Sequence, residues 1–280
     1  MATPSDRPHI IAVFCDFENL AIGAREAKYD RFNMTKVLDR LLLKGSVVVK
    51  KAYCDWERYK GFKATMHEAA FEMIDIPHVS KSGKNSADIR MVVDALDLCY
   101  MKGHVDTFAI VSGDSDFSPL VSKLRENNKT VIGVGVKQST SSLFIGNCDE
   151  FIFYDDLERE EENVKARVTQ AKQAAAPAAA KPAATNDKKQ AEKPAGDPEE
   201  AIRLVMETID ALLARGDKDA VWASHVKQAI RRLQPQFEER FYGFRSFSTL
   251  LEAVQAHDLV KLEKKGDSGY LIRAVAAGEV

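Results

Sequence analysis

A chain of 280 residues exceeds the roughly 100–200 of one typical domain, so two folded units are the starting expectation. With 45% hydrophobic, 29% charged and 8% aromatic residues it has enough apolar material for sizeable cores, which excludes a chain too polar to fold. Forty Lys and Arg against 42 Asp and Glu give a net charge of −2, which excludes a global basic field, so any nucleic-acid contact has to come from local patches.

In chain order, the first half alternates short apolar runs with amphipathic stretches. The runs are IIAVFC (10–15), SVVVKKAYC (46–54), IPHV (76–79), TFAIVS (107–112), TVIGVGV (130–136) and FIFY (151–154). Helical periodicity falls near 33–44, 59–74, 86–102 and 117–127, with a short helix or turn before the last strand. Nearly continuous apolar strands separated by helices predict an α/β, doubly wound, mostly parallel sheet covered on both faces. In such a sheet the functional crevice lies beyond the carboxyl ends of the strands, near the point where strand order reverses.

From Glu158 to Asp197 the composition shifts to Ala, Lys, Pro, Gln and Glu, with no aromatic residue, which predicts a flexible linker. Beyond it, helices near 199–215, 223–233 and 246–256 precede LVKLEKK and GYLIR around Gly266-Asp267-Ser268-Gly269, a winged-helix pattern. The division predicted is 8–157, a linker over 158–197, and a small domain over 198–275. No internal repeat relates the halves. Cys15, Cys54, Cys99 and Cys148 are widely spaced, which disfavours zinc and fits buried thiols in a reducing compartment. With no signal-like N-terminus and no 18-residue apolar run, a cytoplasmic location and no membrane contact are expected.

The chemistry-bearing residues are carboxylates. Strand one ends in Phe14-Cys15-Asp16-Phe17-Glu18-Asn19, and strand four in Val111-Ser112-Gly113-Asp114-Ser115-Asp116-Phe117. If the order is flavodoxin-like, these loops converge and Asp16, Asp114 and Asp116 share a crevice. A third source is Lys84-Asn85-Ser86-Ala87-Asp88, opening the central helix. Asp88 in its first turn can project toward the strand ends, whereas Asp94 points about 120° away by the helical period. Several carboxylates in one cleft repel each other unless a hard cation or shared protons compensate, so Mg²⁺ or Mn²⁺ and phosphodiester hydrolysis are expected. An Asp after a strand is also an ordinary cap or turn former, and only the convergence separates the two readings. Asn19 either contacts phosphate or water or caps the next helix, and Lys84 either offsets phosphate charge or sits in a solvated loop.

At these motifs residues 8–155 resemble the NYN family, the LabA-like branch of the PIN-like nucleases. That resemblance implies a metal-dependent ribonuclease, with metal-binding acids at Asp16, Asp88 and Asp114, Asp116 and Asp94 in support, and contributions from Asn19 and Ser112. The tail, through Phe241-Tyr242-Gly243-Phe244-Arg245-Ser246-Phe247, resembles the OST-HTH or LOTUS winged-helix module, which implies binding of RNA or of a protein partner. Arg231, Arg232 and Arg245, with Lys227, Arg240 and Lys264-Lys265, are phosphate-contact candidates or a solvated face. The aromatics Phe237, Phe241, Tyr242, Phe244 and Phe247 read as core rather than base-stacking platforms, although Tyr242 could serve as either. Two other functions fit the same acids: a noncatalytic RNA-binding scaffold, and a metal-dependent phosphatase of small esters.

Overall fold

A computed structural model describes residues 8–29, 32–76, 86–159, 196–213, 220–256, 260–264 and 269–274. The chain divides into two compact units, Met1–Glu160 and Glu161–Val280. The expected linker lies almost entirely outside the described residues, as do Lys84 and His78.

The first unit is built from β1 (His9–Asp16), α1 (Phe17–Glu26), α2 (Met34–Lys44), β2 (Gly45–Cys54), α3 (Lys63–Glu68) and β3 (Glu72–Asp75). It continues through α4 (Ser86–Met101), β4 (Thr107–Val111), α5 (Ser118–Glu126), β5 (Thr130–Gly135), α6 (Ser142–Asn147) and β6 (Glu150–Phe153). All six strands run parallel in the order β3-β2-β1-β4-β5-β6. The order differs from the flavodoxin-like one on which the convergence of the acids is conditional, yet it still places β1 beside β4. The strand order reverses between neighbours β1 and β4, so their carboxyl ends open side by side.

Burial explains the strand composition. In β1, Ile11, Val13 and Cys15 join a core formed with α1 and α2, while Ala12 and Phe14 face the opposite core under α4 and α5. Ala109 and Val111 of β4 repeat the first choice and Phe108 and Ile110 the second. With period-two side chains buried on both faces, such strands must be apolar throughout, as the sequence runs are. Phe14 and Phe108 stack across the β1–β4 pair at 6.1 Å between ring centroids. A register shift between Ile11 and Ala12 makes Val48 of β2 the extra residue, and it stands out to solvent.

Helix ends account for two departures from the expected elements. The periodicity over 59–74 predicts one helix, but α3 stops at Glu68 and the strand is 72–75 rather than 76–79. Ala70 adopts φ 56°, so that Phe71 N–H donates to the Met66 carbonyl and Ala70 N–H to that of His67. This double bond pattern closes a helix through a left-handed residue, usually glycine. Met73 and Ile74 of the strand that follows then face opposite cores. Helix α1, which the sequence reading omits, ends the same way at Lys28, φ 62°, and α5 at Asn128, φ 56°.

The second unit contains α7 (Pro198–Leu213), β7 (Ala220–Trp222), α8 (Ala223–Leu233), α9 (Phe247–Ala256), β8 (Val260–Lys264) and β9 (Tyr270–Ala274), with an antiparallel β7-β9-β8 sheet. It is the expected winged helix, with β7 as an added strand. Val205, Ile209, Val226, Ile230, Leu250 and Ile272 form its own core. Phe237 and Phe247 are buried in it and Tyr242 and Phe244 pack against it, whereas Phe241 is half exposed.

The left-handed Ala70 carries a side-chain penalty of about 1–2 kcal/mol that glycine avoids, partly offset by glycine's looser unfolded chain. Ala70→Gly is therefore expected to stabilise the protein by about 0.5–1 kcal/mol, measured as a raised denaturation midpoint with an unchanged slope.

Candidate active site

Cys15 pairs with Val111 in the centre of the sheet, so the next residues, Asp16 and Ser112, leave it side by side. Asp16 caps α1: its Oδ1 accepts the Asn19 N–H at 3.2 Å. Its Oδ2 accepts the Ser112 hydroxyl at 3.0 Å. Ser112, itself fully buried, takes the Asp114 N–H at 3.2 Å on the same Oγ. The Asn19 Oδ1 reaches across to accept Gly113 N–H at 2.8 Å. Asp114 caps the 3₁₀ turn Ser115–Phe117 by accepting the Asp116 N–H. Asn19 and Ser112 thus lock the β1 and β4 loops to one another.

Gly113 is required at this crossing. A Cβ there would stand 2.5 Å from the Ser139 carbonyl oxygen and 3.1 Å from Asn19 Oδ1, while the Gly113 carbonyl accepts Ser141 N–H. The loop before α6 is thereby pinned to the β4 loop.

Asp16 is 8% exposed, and burial first, then the charges of Asp88 and Asp114, push its pKa from 3.8 up to about 7 despite the two hydrogen bonds. Asp88, in the first turn of α4, is pushed up to about 6 by burial and by the charges of Asp114, Asp116 and Glu18. Among the described residues, the charges that raise both groups come from carboxylates. Asp94 stands apart. Burial would raise its pKa, but hydrogen bonds from Tyr53 and Arg90, and the charges of Lys51 and Arg90, outweigh that and hold it below the usual range.

Two residues of the region escape the sequence reading. Glu18 adds a further carboxylate to those acting on Asp88, and its place in Asp16-Phe17-Glu18-Asn19 was the available signal. Arg58 bonds Glu18 at 3.1 Å and begins a segment of interleaved cations and aromatics, Arg58-Tyr59-Lys60-Gly61-Phe62-Lys63. Phe17 anchors that segment through ring contacts with Trp56, Tyr59 and Phe62 at 5.1–5.7 Å. Lys60 and Lys63 share Glu57.

In the second unit, Arg231 and Arg245 are exposed and Arg232 is half buried. Lys227 pairs with Glu239 at 2.7 Å and lies 5.5 Å over the Phe247 ring.

Among the described residues, no three carboxylate, imidazole or thiol groups stand in the geometry that would hold one ion. The donor set nevertheless suits a hard divalent cation: its ligating atoms are oxygens, its two shifted acids are raised by neighbouring carboxylates, and one of them is buried.

A parallel α/β sheet with its acids gathered where strand order reverses is the plan of the PIN-like nuclease superfamily. The chain belongs to the NYN domain family of that superfamily, whose model matches residues 10–157, slightly more than half of it. Residues 199–272 match the OST-HTH/LOTUS domain. An uncharacterized protein of Methanocaldococcus jannaschii is 28% identical over 144 residues, 51% of this chain and 55% of that protein. The chain thus spans about half the length of that curated relative. A solved protein of unknown function from Vibrio parahaemolyticus is 28% identical, with a TM-score of 0.48 over 55% of this chain and 98% of that one. Among the described residues no helix is long and apolar enough to cross a membrane.

The raised pKa of Asp16 gives a stability signature. Folding favours its protonated form, so its contribution is full below about pH 4 and is lost as pH rises through about 7. Asparagine keeps a cap acceptor without the charge. In metal-free protein, the stability advantage of Asp16→Asn over wild type is expected to widen from pH 4 to pH 8 by up to about 4 kcal/mol, followed by thermal denaturation across that range.

Proposed function

We propose that the first unit is a Mg²⁺- or Mn²⁺-dependent ribonuclease that hydrolyses RNA phosphodiester bonds, and that the winged-helix unit captures RNA or a protein partner. The observation that carries this reading is Asp16, a buried carboxylate fixed by Ser112 and the Asn19 N–H at the β1–β4 switch point and raised by the charges of Asp88 and Asp114. Burial and like charges outweigh the hydrogen bonds that favour its charged form, a balance that a bound cation would reverse.

Asp16, Asp88 and Asp114 would hold that cation, with Asp116 beside them and Glu18 within their field. Asp94, already engaged by Tyr53, Lys51 and Arg90, belongs to the support of α4 on β2. When bound, such an ion polarises a phosphate oxygen and lowers the pKa of attached water. The chain's own part is positional. Ser112 fixes Asp16 and the Asp114 backbone together, and Asn19 holds the Gly113 amide, so the acids keep their spacing when phosphate approaches. Carboxylates alone repel RNA, and Arg58, paired with Glu18, brings a cation to the edge of the acids. In the second unit Arg231, Arg232 and Arg245 offer further phosphate contacts.

The test is cleavage of labelled single-stranded RNA by the full chain with Mg²⁺, Mn²⁺ or EDTA. EDTA is expected to abolish cleavage, and Asp114→Asn to slow it by at least ~10²-fold with folding retained. Equal residual cleavage in wild type and variant sinks the reading and leaves an RNA-binding scaffold; turnover confined to small phosphate esters assigns a phosphatase.

Arg58→Ala gives a separate expectation. RNA affinity should fall and the slope of log affinity against log salt should become shallower by about one, measured by anisotropy at several salt concentrations.

A further inference from the structure

Helix α4 is apolar on both of its sides. Met91, Ala95 and Cys99 are buried against the sheet, while Ile89, Val93, Tyr100 and Met101 are exposed by 63%, 56%, 63% and 70%. A helix that is hydrophobic all round is ordinarily covered all round. Its neighbour α5 shows the usual alternative, with Ser122, Lys123, Arg125 and Glu126 outward. Among the described residues, eight large hydrophobic side chains are exposed, and α4 carries four of them where no other element carries more than one. Such a concentration marks an interaction surface.

Charge selects the partner. Ile89, Val93, Asp97 and Tyr100 recur at helical spacing as one stripe, with Arg90 beside it. Lys102 extends the face by one position, since its N–H still donates to the Leu98 carbonyl. In chain order the charges on this side are Asp88, Arg90, Asp97 and Lys102, which alternate negative and positive. Reversing the order inverts every sign. An antiparallel copy therefore sets Arg90 against Asp97 and Asp88 against Lys102, each pair twice, whereas a parallel copy opposes like charges throughout. Asp94 does not disturb this pattern, because Tyr53, Lys51 and Arg90 already engage it. Arg90 bonds Asp94 through Nε alone, and its side chain remains 55% exposed.

We infer that the outward side of α4 is the contact face of a homodimer, formed by two antiparallel α4 helices about a two-fold axis near Val93. Val93 then meets its own counterpart, and Ile89 of each copy packs against Tyr100 and Met101 of the other. One helix about 24 Å long is a small interface, so the association is weak, with a Kd of about 10–100 µM. The inference stands apart from the ribonuclease reading, since it uses only the uncovered side of the helix and its charges.

The test follows the full chain by sedimentation velocity in EDTA over about 5–500 µM. Wild type is expected to pass from monomer to dimer across that range. Val93→Glu, at an exposed position, should stay monomeric, and Val48→Glu, exposed on β2, should dimerise as wild type does. Asp97→Lys and Arg90→Glu should each associate about tenfold more weakly alone, yet recover to within about twofold when mixed in equal amounts, because the mixed pair restores both contacts. Circular dichroism checks that each variant keeps its fold. A wild type that stays monomeric at the top of the range overturns the proposal, as does a dimer that Val93→Glu leaves intact. Folded charge variants that fail to recover on mixing overturn the antiparallel pairing.

Discussion

The β1–β4 pairing is the constraint on which the acidic site depends. Both strands are buried on both faces, so neither can slide by one residue without turning Phe14 and Phe108 into the wrong core. Register therefore decides which residues emerge together at the carboxyl edge. Asp16 and Ser112 emerge together, and the hydrogen bond between them carries the precision of the sheet into a cleft that would otherwise be two loose loops.

That precision opposes electrostatics. Charged Asp16 is disfavoured by burial and by its neighbours, and the site persists because the sheet, the α1 cap and the Asn19–Gly113 bond over-determine it. On the proposed reading, stability and function pull in different directions at this residue. The cation-bearing segment at 58–63 relieves the conflict only at its edge, through Arg58 and Glu18, and leaves Asp16 and Asp88 among like charges. A protein selected for stability alone would place a neutral residue at 16.

Much of this was legible in the sequence because the signals were hydrophobic runs ending in Asp. The buried strands β1, β4 and β5 require uninterrupted apolar residues, and the acids beyond them stand out against that background. The winged helix was legible for a similar reason, since its helices keep regular apolar spacing. The failures have a common cause in backbone conformation. Lys28 and Ala70 end their helices in a left-handed conformation that neither residue type announces, so α1 went unread and α3 was drawn too long. Strand order stayed conditional because the apolar runs that define strands carry no record of which neighbour each adopts. Arg58 was missed because its relation to Glu18 crosses 40 positions of chain and exists only after β1 and β2 pair.

Gly113 has a wider effect than its own turn. By touching Ser139 and accepting the Ser141 N–H, it ties the loop that leads into α6, and so Leu143, to the backbone that presents Asp114. Asp114 and Leu143 are therefore fixed to one short piece of main chain. The site has the character of a ruler whose two marks are cut on the same bar. Changes of length in the 137–141 loop would rescale the distance between Leu143 and Asp114 while β1 and β4 kept Asp16 and Ser112 together.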